Sequence, residues 1–262
     1  MLASTPESLT DLLDSTSAVL HNVSWETFEK LIAETGEDRK ARFFYLDGNL
    51  EITAPRILHH VSWETFEQLI AETGEDRKAR FFYLDGELEI MPPLAFHEGS
   101  KCFLSALIRT FCDELGINIR ELGSTLLKTG DIDTGCEPDS CYYIQHEPMI
   151  RSKVNVDLRA GDPPPDLVVE VDATSSSLPR LPIYASLGIP EVWRYDGKSL
   201  EYYHLEQETY VSRLVSLTFP QLPASVLVEF LQKRLVSGET RTLKQFRAWV
   251  QANYPSSPES AL

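Results

Sequence analysis

The run Pro163-Pro164-Pro165-Asp166-Leu167-Val168-Val169-Glu170-Val171-Asp172 sets carboxylates into an apolar strand pattern. Side chains alternate faces along a strand, so Asp166, Val168, Glu170 and Asp172 share one face and Leu167, Val169 and Val171 the other. Acids on a strand that reads as buried are costly unless they are paired or bound to a cation. A further acid, Asp139 in Glu137-Pro138-Asp139, precedes a second strand-like run, Cys141-Tyr142-Tyr143-Ile144. Two acids at neighbouring strand ends suit Mg2+, which takes one or two carboxylates and completes its shell with water and phosphate oxygens. Such an ion polarises a phosphodiester and lowers the pKa of a bound water, and a nearby cation offsets the charge that develops. Arg180 follows next in the sequence and supplies that cation.

Each of these residues also has a plainer use. Asp139 follows a proline and could simply cap a turn. Asp166 follows three prolines and is expected to close the turn that starts the strand. Asp172 is either a third metal ligand or a cap for the turn Ser175-Ser176-Ser177. Arg180 is as suited to pairing with a structural acid as to reaching a phosphate. His97 lies on the apolar side of its helix, as a core histidine would.

The chain that must position these groups has 262 residues, 42% of them hydrophobic and 10% aromatic, enough for a packed core. Its net charge is −16, unusual for a protein that grips nucleic acid through phosphate contacts, although a local basic strip is compatible with an acidic average. The four cysteines form no CxxC pair and have no His cluster beside them, which argues against zinc and for reduced thiols. No segment approaches the roughly 18 apolar residues of a membrane span, so a soluble, cytoplasmic protein with no membrane partner is expected.

Val23 to Ile52 reappears as Val61 to Ile90, and only Lys30/Gln68 and Asn49/Glu87 differ. Two nearly identical copies point to a duplication within one gene rather than a solenoid. In each, Ser24 or Ser62 caps a helix that Gly36 or Gly74 ends, and Asp-Gly joins two strands into a hairpin. The second copy runs on into the rest of the chain and is expected to be the integrated one. The first is an addition at the edge: a tolerated duplicate without function of its own, an extension of the same sheet, or a means of association. The basic dipeptides Arg39-Lys40 and Arg77-Lys78 read as solvated loop residues.

Further along, 96–115 reads as a helix with Leu104, Leu107, Ile108, Phe111 and Leu115 on one face. Short strands are predicted at 117–120, 124–128, 140–145 and 166–172, and a hairpin at 190–205 turning at Asp196-Gly197. Helices are predicted at 178–187, 226–235 and 242–254. The expected organisation is an N-terminal segment (1–22), the first helix-hairpin copy (23–60), a main domain (61–235), a C-terminal helix (236–254) and a disordered tail (255–262).

The stretches DGELEIMPPLAFHE (85–98), EPDSCYYI (137–144), PPDLVVEVDATSSS (164–177) and RLPIYASLGIPEVWRYDG (180–197) resemble the PD-(D/E)XK nuclease superfamily. Within it they are most similar to the Uma-two family of putative restriction endonucleases. The resemblance spans about residues 61–235 and implies an α/β fold of the α+β kind: a mixed sheet flanked by helices in a restriction-endonuclease-like core, with the helix-hairpin repeat added in front. It implies a Mg2+- or Mn2+-dependent DNA endonuclease, with Asp139 and Glu170 as metal ligands, Glu98 as an acid from the first core helix and Arg180 as the catalytic cation. It also implies a homodimer, since cutting both strands calls for two sites. The sequence departs from the superfamily at Asp172, which stands where a Lys usually follows the acid by two residues. Arg180 keeps a positive charge but holds its proton too tightly to exchange it. The alternative is a nuclease fold that binds or interacts without catalysing hydrolysis.

Overall fold

The computed structural model describes residues 17–36, 41–53, 57–74, 77–91, 95–129, 134–171 and 180–255, without the side chains of 95–97 and 129. Asp172, Ser175 to Ser177, Arg39-Lys40 and the tail from 256 lie outside the described residues. In chain order the elements begin β1 (Ala18–Leu20), α1 (Trp25–Thr35), β2 (Phe43–Leu46), β3 (Asn49–Ile52), β4 (Ile57–Leu58), α2 (Trp63–Thr73), β5 (Arg80–Leu84), β6 (Glu87–Met91) and α3 (Ala95–Leu115). They continue with β7 (Arg120–Gly123), β8 (Leu127–Thr129), β9 (Thr134–Cys136), β10 (Ser140–Tyr143), α4 (Glu147–Ile150), β11 (Leu167–Val171) and α5 (Arg180–Ser186). The last are β12 (Glu191–Tyr195), β13 (Leu200–Glu206), β14 (Thr209–Arg213), α6 (Ala224–Ser237) and α7 (Glu239–Asn253). The fold is thus mixed α/β, with antiparallel and mixed sheets. Two compact units divide it: Met1–Pro93 with Leu126–Glu137 and Thr174–Ile183, and Leu94–Thr125 with Pro138–Ala173 and Tyr184–Leu262.

The first unit contains both copies of the repeat. Ser24 and Ser62 each accept the amide of the residue three positions on, Thr27 or Thr65, at 3.1 Å, which starts α1 and α2. The turns Asp47-Gly48 and Asp85-Gly86 have positive φ at both positions (47° and 79°, 48° and 84°), the geometry that matches strand twist in a two-residue hairpin. Tyr45 and Tyr83 each donate a hydroxyl hydrogen bond of 2.8 Å to the carbonyl of Val23 or Val61, pinning the hairpin to the helix start. The repeat is longer in structure than in sequence identity, because β1 and β4 occupy equivalent places beside β3 and β6.

The copies part company in their sheets. Copy one forms a separate three-stranded sheet, β1-β3-β2, while copy two belongs to a five-stranded one, β4-β6-β5-β9-β8. Copy one therefore does not extend the sheet of copy two. Identical Phe-Phe-Tyr-Leu strands end in different surroundings: β5 is flanked by β6 and β9 and Phe82 is fully buried, whereas Phe44 and Leu46 of β2 are exposed. Arg77 is a correction to the expected solvated loop. It is buried, ion-paired with Glu137 and lies 4.8 Å over the Phe81 ring.

The second unit is built on the six-stranded sheet β14-β13-β12-β11-β10-β7. The β11–β12 pair is parallel and the other neighbours are antiparallel. The expected alternation holds in β11: Leu167, Val169 and Val171 enter a core with Leu104, Leu107, Ile108 and Phe111 of α3 and with Phe230, Phe246 and Val250 of α6 and α7. The strands predicted at 117–120 and 124–128 lie a few residues later, at β7 and β8. Ile117 and Ile119, which prompted the first, pack against the core as a loop. Strand β14 was not anticipated; its burial is slight and its pattern uninformative.

In β9, Gly135 faces the Phe66 ring so closely that an added Cβ would lie 2.9 Å from two ring carbons. Phe66 is fully buried and stacked on Tyr83 at 4.9 Å, so the ring cannot easily yield. Gly135→Ala should lower stability by about 1–3 kcal/mol, the usual range for overpacking a filled core. Urea denaturation measures this, and an unchanged midpoint would show that the ring gives way freely.

Candidate active site

The site begins with strand register. β10 and β11 run antiparallel with Ser140 opposite Val169, so one step back sets Asp139 opposite Glu170. Asp139 is fully buried and Glu170 nearly so. The Val171 amide donates to Asp139 Oδ2 at 2.7 Å, and the Asp139 amide donates to Glu170 Oε1 at 3.2 Å. The two carboxylates that the sequence singled out are therefore brought together by the ladder that pairs their strands.

A third group joins them. The hydroxyl of Tyr184, on α5 and fully buried, donates to Glu170 Oε1 at 2.5 Å. This short contact fixes the direction in which Glu170 points. Sequence reasoning passed over Tyr184, although the Tyr-Ala pair lies within one of the stretches that carried the family resemblance. It also passed over Arg194 of β12, which the parallel register places beside Glu170.

The remaining candidates have other surroundings. Glu98, in the first turn of α3, pairs with Lys101 at 3.4 Å, and its side chain is 42% exposed. Arg180 opens α5 in the first unit; it is buried and its guanidinium lies 4.3 Å over the Phe82 ring, a cation–π arrangement. Asp172 and the His97 side chain lie outside the described residues. Asp166 has the turn-closing role expected of it. It is buried, accepts the amides of Ile144 at 2.6 Å and His146 at 3.0 Å, and lies 2.6 Å from His146 Nδ1. That set of bonds ends β10 and starts β11.

Two acids buried on neighbouring strands call for a positive partner beside them. The donor set is all oxygen and numbers two acids, which fits the modest protein contribution that Mg2+ or Mn2+ requires. Among the described residues no group of three or more His, Cys, Asp or Glu is placed to hold a metal. Thiol chemistry is disfavoured in the same core. Burial pushes the Cys112 and Cys141 thiols up to about 12, so both stay protonated at neutral pH.

A protein-family model described as "Uma2: Putative restriction endonuclease" matches residues 63–234. Among solved structures, the chain is similar to one described as a putative nuclease belonging to DUF820 from Anabaena variabilis ATCC 29413, at 16% identity and a TM-score of 0.42, over 65% of this chain and 99% of that one. No curated protein matches the chain. Among the described residues no helix is long and apolar enough to cross a membrane.

The cysteines offer a direct check on the packing around the site. At pH 8 the folded chain should react quickly with DTNB at one thiol, Cys102, which is exposed, while Cys112, Cys136 and Cys141 react only on denaturation. Fast labelling of Cys141, which adjoins the Asp139 turn, would contradict the burial described.

Proposed function

Because this chain belongs to the Uma2 family of putative restriction endonucleases, we propose that it is a divalent-metal-dependent DNA endonuclease with a restriction-endonuclease-like core. The observation that carries the proposal is the Asp139–Glu170 pair, buried and joined across β10 and β11. Asp139 and Glu170 would hold Mg2+ or Mn2+, with Asp172 as a further ligand and Glu98 as the acid contributed by the first helix. The ion, when bound, supplies Lewis acidity toward the scissile phosphate and a water of lowered pKa.

The protein's own groups do the rest. The Val171 amide holds Asp139, and the Asp139 amide and the Tyr184 hydroxyl hold Glu170, so neither carboxylate has to reorganise when charge arrives. Arg194, opposite Glu170 in the register, would contribute fixed positive charge but no transferable proton. Proton uptake from the attacking water therefore falls to a carboxylate or to the phosphate itself. DNA would be held against a net charge of −16, so binding should be weak.

A second reading, the nuclease fold without hydrolysis, is favoured by Asp172 standing two residues after Glu170 where the superfamily usually has Lys. Plasmid cleavage with Mg2+ or Mn2+ separates the two. Wild type should nick or linearise the plasmid, while Asp139→Ala and Glu170→Ala, folded by circular dichroism, should not. Equal cleavage by all three would refute the assignment of the site; no cleavage together with no Mn2+ binding by calorimetry would favour the second reading, and tight Mn2+ binding at the acids would count against it.

Tyr184→Phe tests the positioning of Glu170. Losing an outer-shell partner of a metal ligand typically weakens metal affinity about 10–100-fold. The same loss is expected here by Mn2+ calorimetry, with the fold retained. Unchanged affinity would mean that the hydroxyl serves packing alone.

A further inference from the structure

The two copies of the repeat meet through α1 and α2, and the contact is reciprocal. Ser24 donates its amide to Glu72 Oε2 at 2.8 Å and its hydroxyl to Glu72 Oε1 at 2.6 Å, and the Thr27 hydroxyl adds a third bond at 2.7 Å. At the equivalent positions Ser62 donates its amide to Glu34 Oε2 at 2.9 Å and its hydroxyl to Glu34 Oε1 at 2.6 Å, with the Thr65 hydroxyl at 2.8 Å. Each helix start is bound by the other helix's last turn, so the helices lie antiparallel about a local two-fold axis.

The chemistry of the caps explains why each copy needs the other. A helix that begins with Ser usually has Glu or Gln at its third position to accept the cap residue's own amide. Here that position holds Thr27 or Thr65, so the acceptor must come from outside the helix. Glu34 and Glu72 provide it from the opposite copy, and each carboxylate also complements the positive end of the helix it caps. Burial raises the Glu72 carboxyl, but the bonds from Ser24, Thr27 and Gln68 outweigh it and hold the group below its ordinary value.

One of the two positions that differ between the copies lies in this contact. Lys30 and Gln68 are equivalent residues, and Lys30 Nζ donates to Gln68 Oε1 at 3.1 Å while approaching Glu64 at 3.3 Å. The unlike pair gains an ion pair with Glu64 that a Gln68–Gln68 pair lacks. Everything else in the contact is self-complementary, because Ser62, Thr65 and Glu72 of one copy match the same three residues of another.

We infer that the α2 face carrying Ser62, Thr65, Gln68 and Glu72 is a pairing surface for the same face of a second copy of this chain, and that copy one occupies it in cis. The tether gives copy one a high effective concentration at that face, which excludes the second chain. Copy one is thus a built-in partner rather than an idle duplicate.

The test uses the full chain and reads mass and exchange rather than cleavage. Ser24→Glu with Glu34→Lys sets like charge against Glu72 and removes the cap from α2, leaving the copy-two face intact. Hydrogen exchange in α1 should speed up, and light scattering should show a concentration-dependent doubling of the mass of the wild-type species. Adding Glu72→Ala should return the mass to that of wild type. Unchanged exchange in α1 would overturn the claim that the reciprocal caps hold the copies together. Faster exchange without a rise in mass would overturn the self-pairing. If the double variant loses its circular dichroism signal, Glu34→Ala alone provides the same two readouts at smaller amplitude.

Discussion

The antiparallel pairing of β10 with β11 is the constraint on which the candidate site depends. Regular pairing runs from Tyr142 opposite Leu167 to Ser140 opposite Val169 and stops there, just after Pro138. Beyond that point side chains replace the backbone. The Asp139 carboxylate takes the Val171 amide and the Glu170 carboxylate takes the Asp139 amide. The same bonds that end the ladder thus bring two acids face to face. A slip of one residue would turn Glu170 into the core and Val169 out of it. The burial of Leu167, Val169 and Val171 against α3 makes that slip prohibitive. Core packing on one face of β11 therefore sets the chemistry on the other.

Much of this was legible in residue order, because local rules act locally. The Ser caps, the Asp-Gly turns, the 21-residue helix α3 and the alternation in β11 each follow from a pattern a few residues long. What escaped notice depends on partners far away in the chain. Tyr184 looks like any buried aromatic until the fold brings its hydroxyl to Glu170. Glu191 has no motif around it, yet it is fully buried and accepts Trp193 Nε1 and the amides of Leu217 and Thr218, fixing the loop after β14. β9 contains a glycine and three residues in all, and it is a strand only because β5 and β8 flank it.

The repeat separates sequence from context within one molecule. Helix, cap and turn recur in both copies, with the cap bond 3.1 Å and the tyrosine bond to the preceding loop 2.8 Å in each. Burial is not. Phe82 and its counterpart Phe44 occupy the same register in the same hairpin, yet one is sealed and the other is 56% exposed. The hairpin folds by its own rules, and what covers its outer edge is decided elsewhere. In copy two β9 pairs with that edge, with Gly135 admitting the Phe66 ring. In copy one, among the described residues, no such strand follows.

Under the proposed activity, Asp172 in place of the Lys usual in the superfamily that the sequence resembles would shift the balance of charge at the site rather than merely remove a base. In the sequence, an aspartate two residues after Glu170 carries a negative charge where a lysine would carry a positive one. Like charges close together are tolerated when a cation neutralises them, so the change would increase the demand for a divalent ion while removing a side chain that could exchange a proton. Arginine cannot restore the exchange, because its guanidinium keeps its proton at neutral pH. Under the proposed activity, hydrolysis would then rest on the ion and on carboxylates held by Val171, Asp139 and Tyr184. The precision of those three bonds would matter more here than in a relative with the lysine in place.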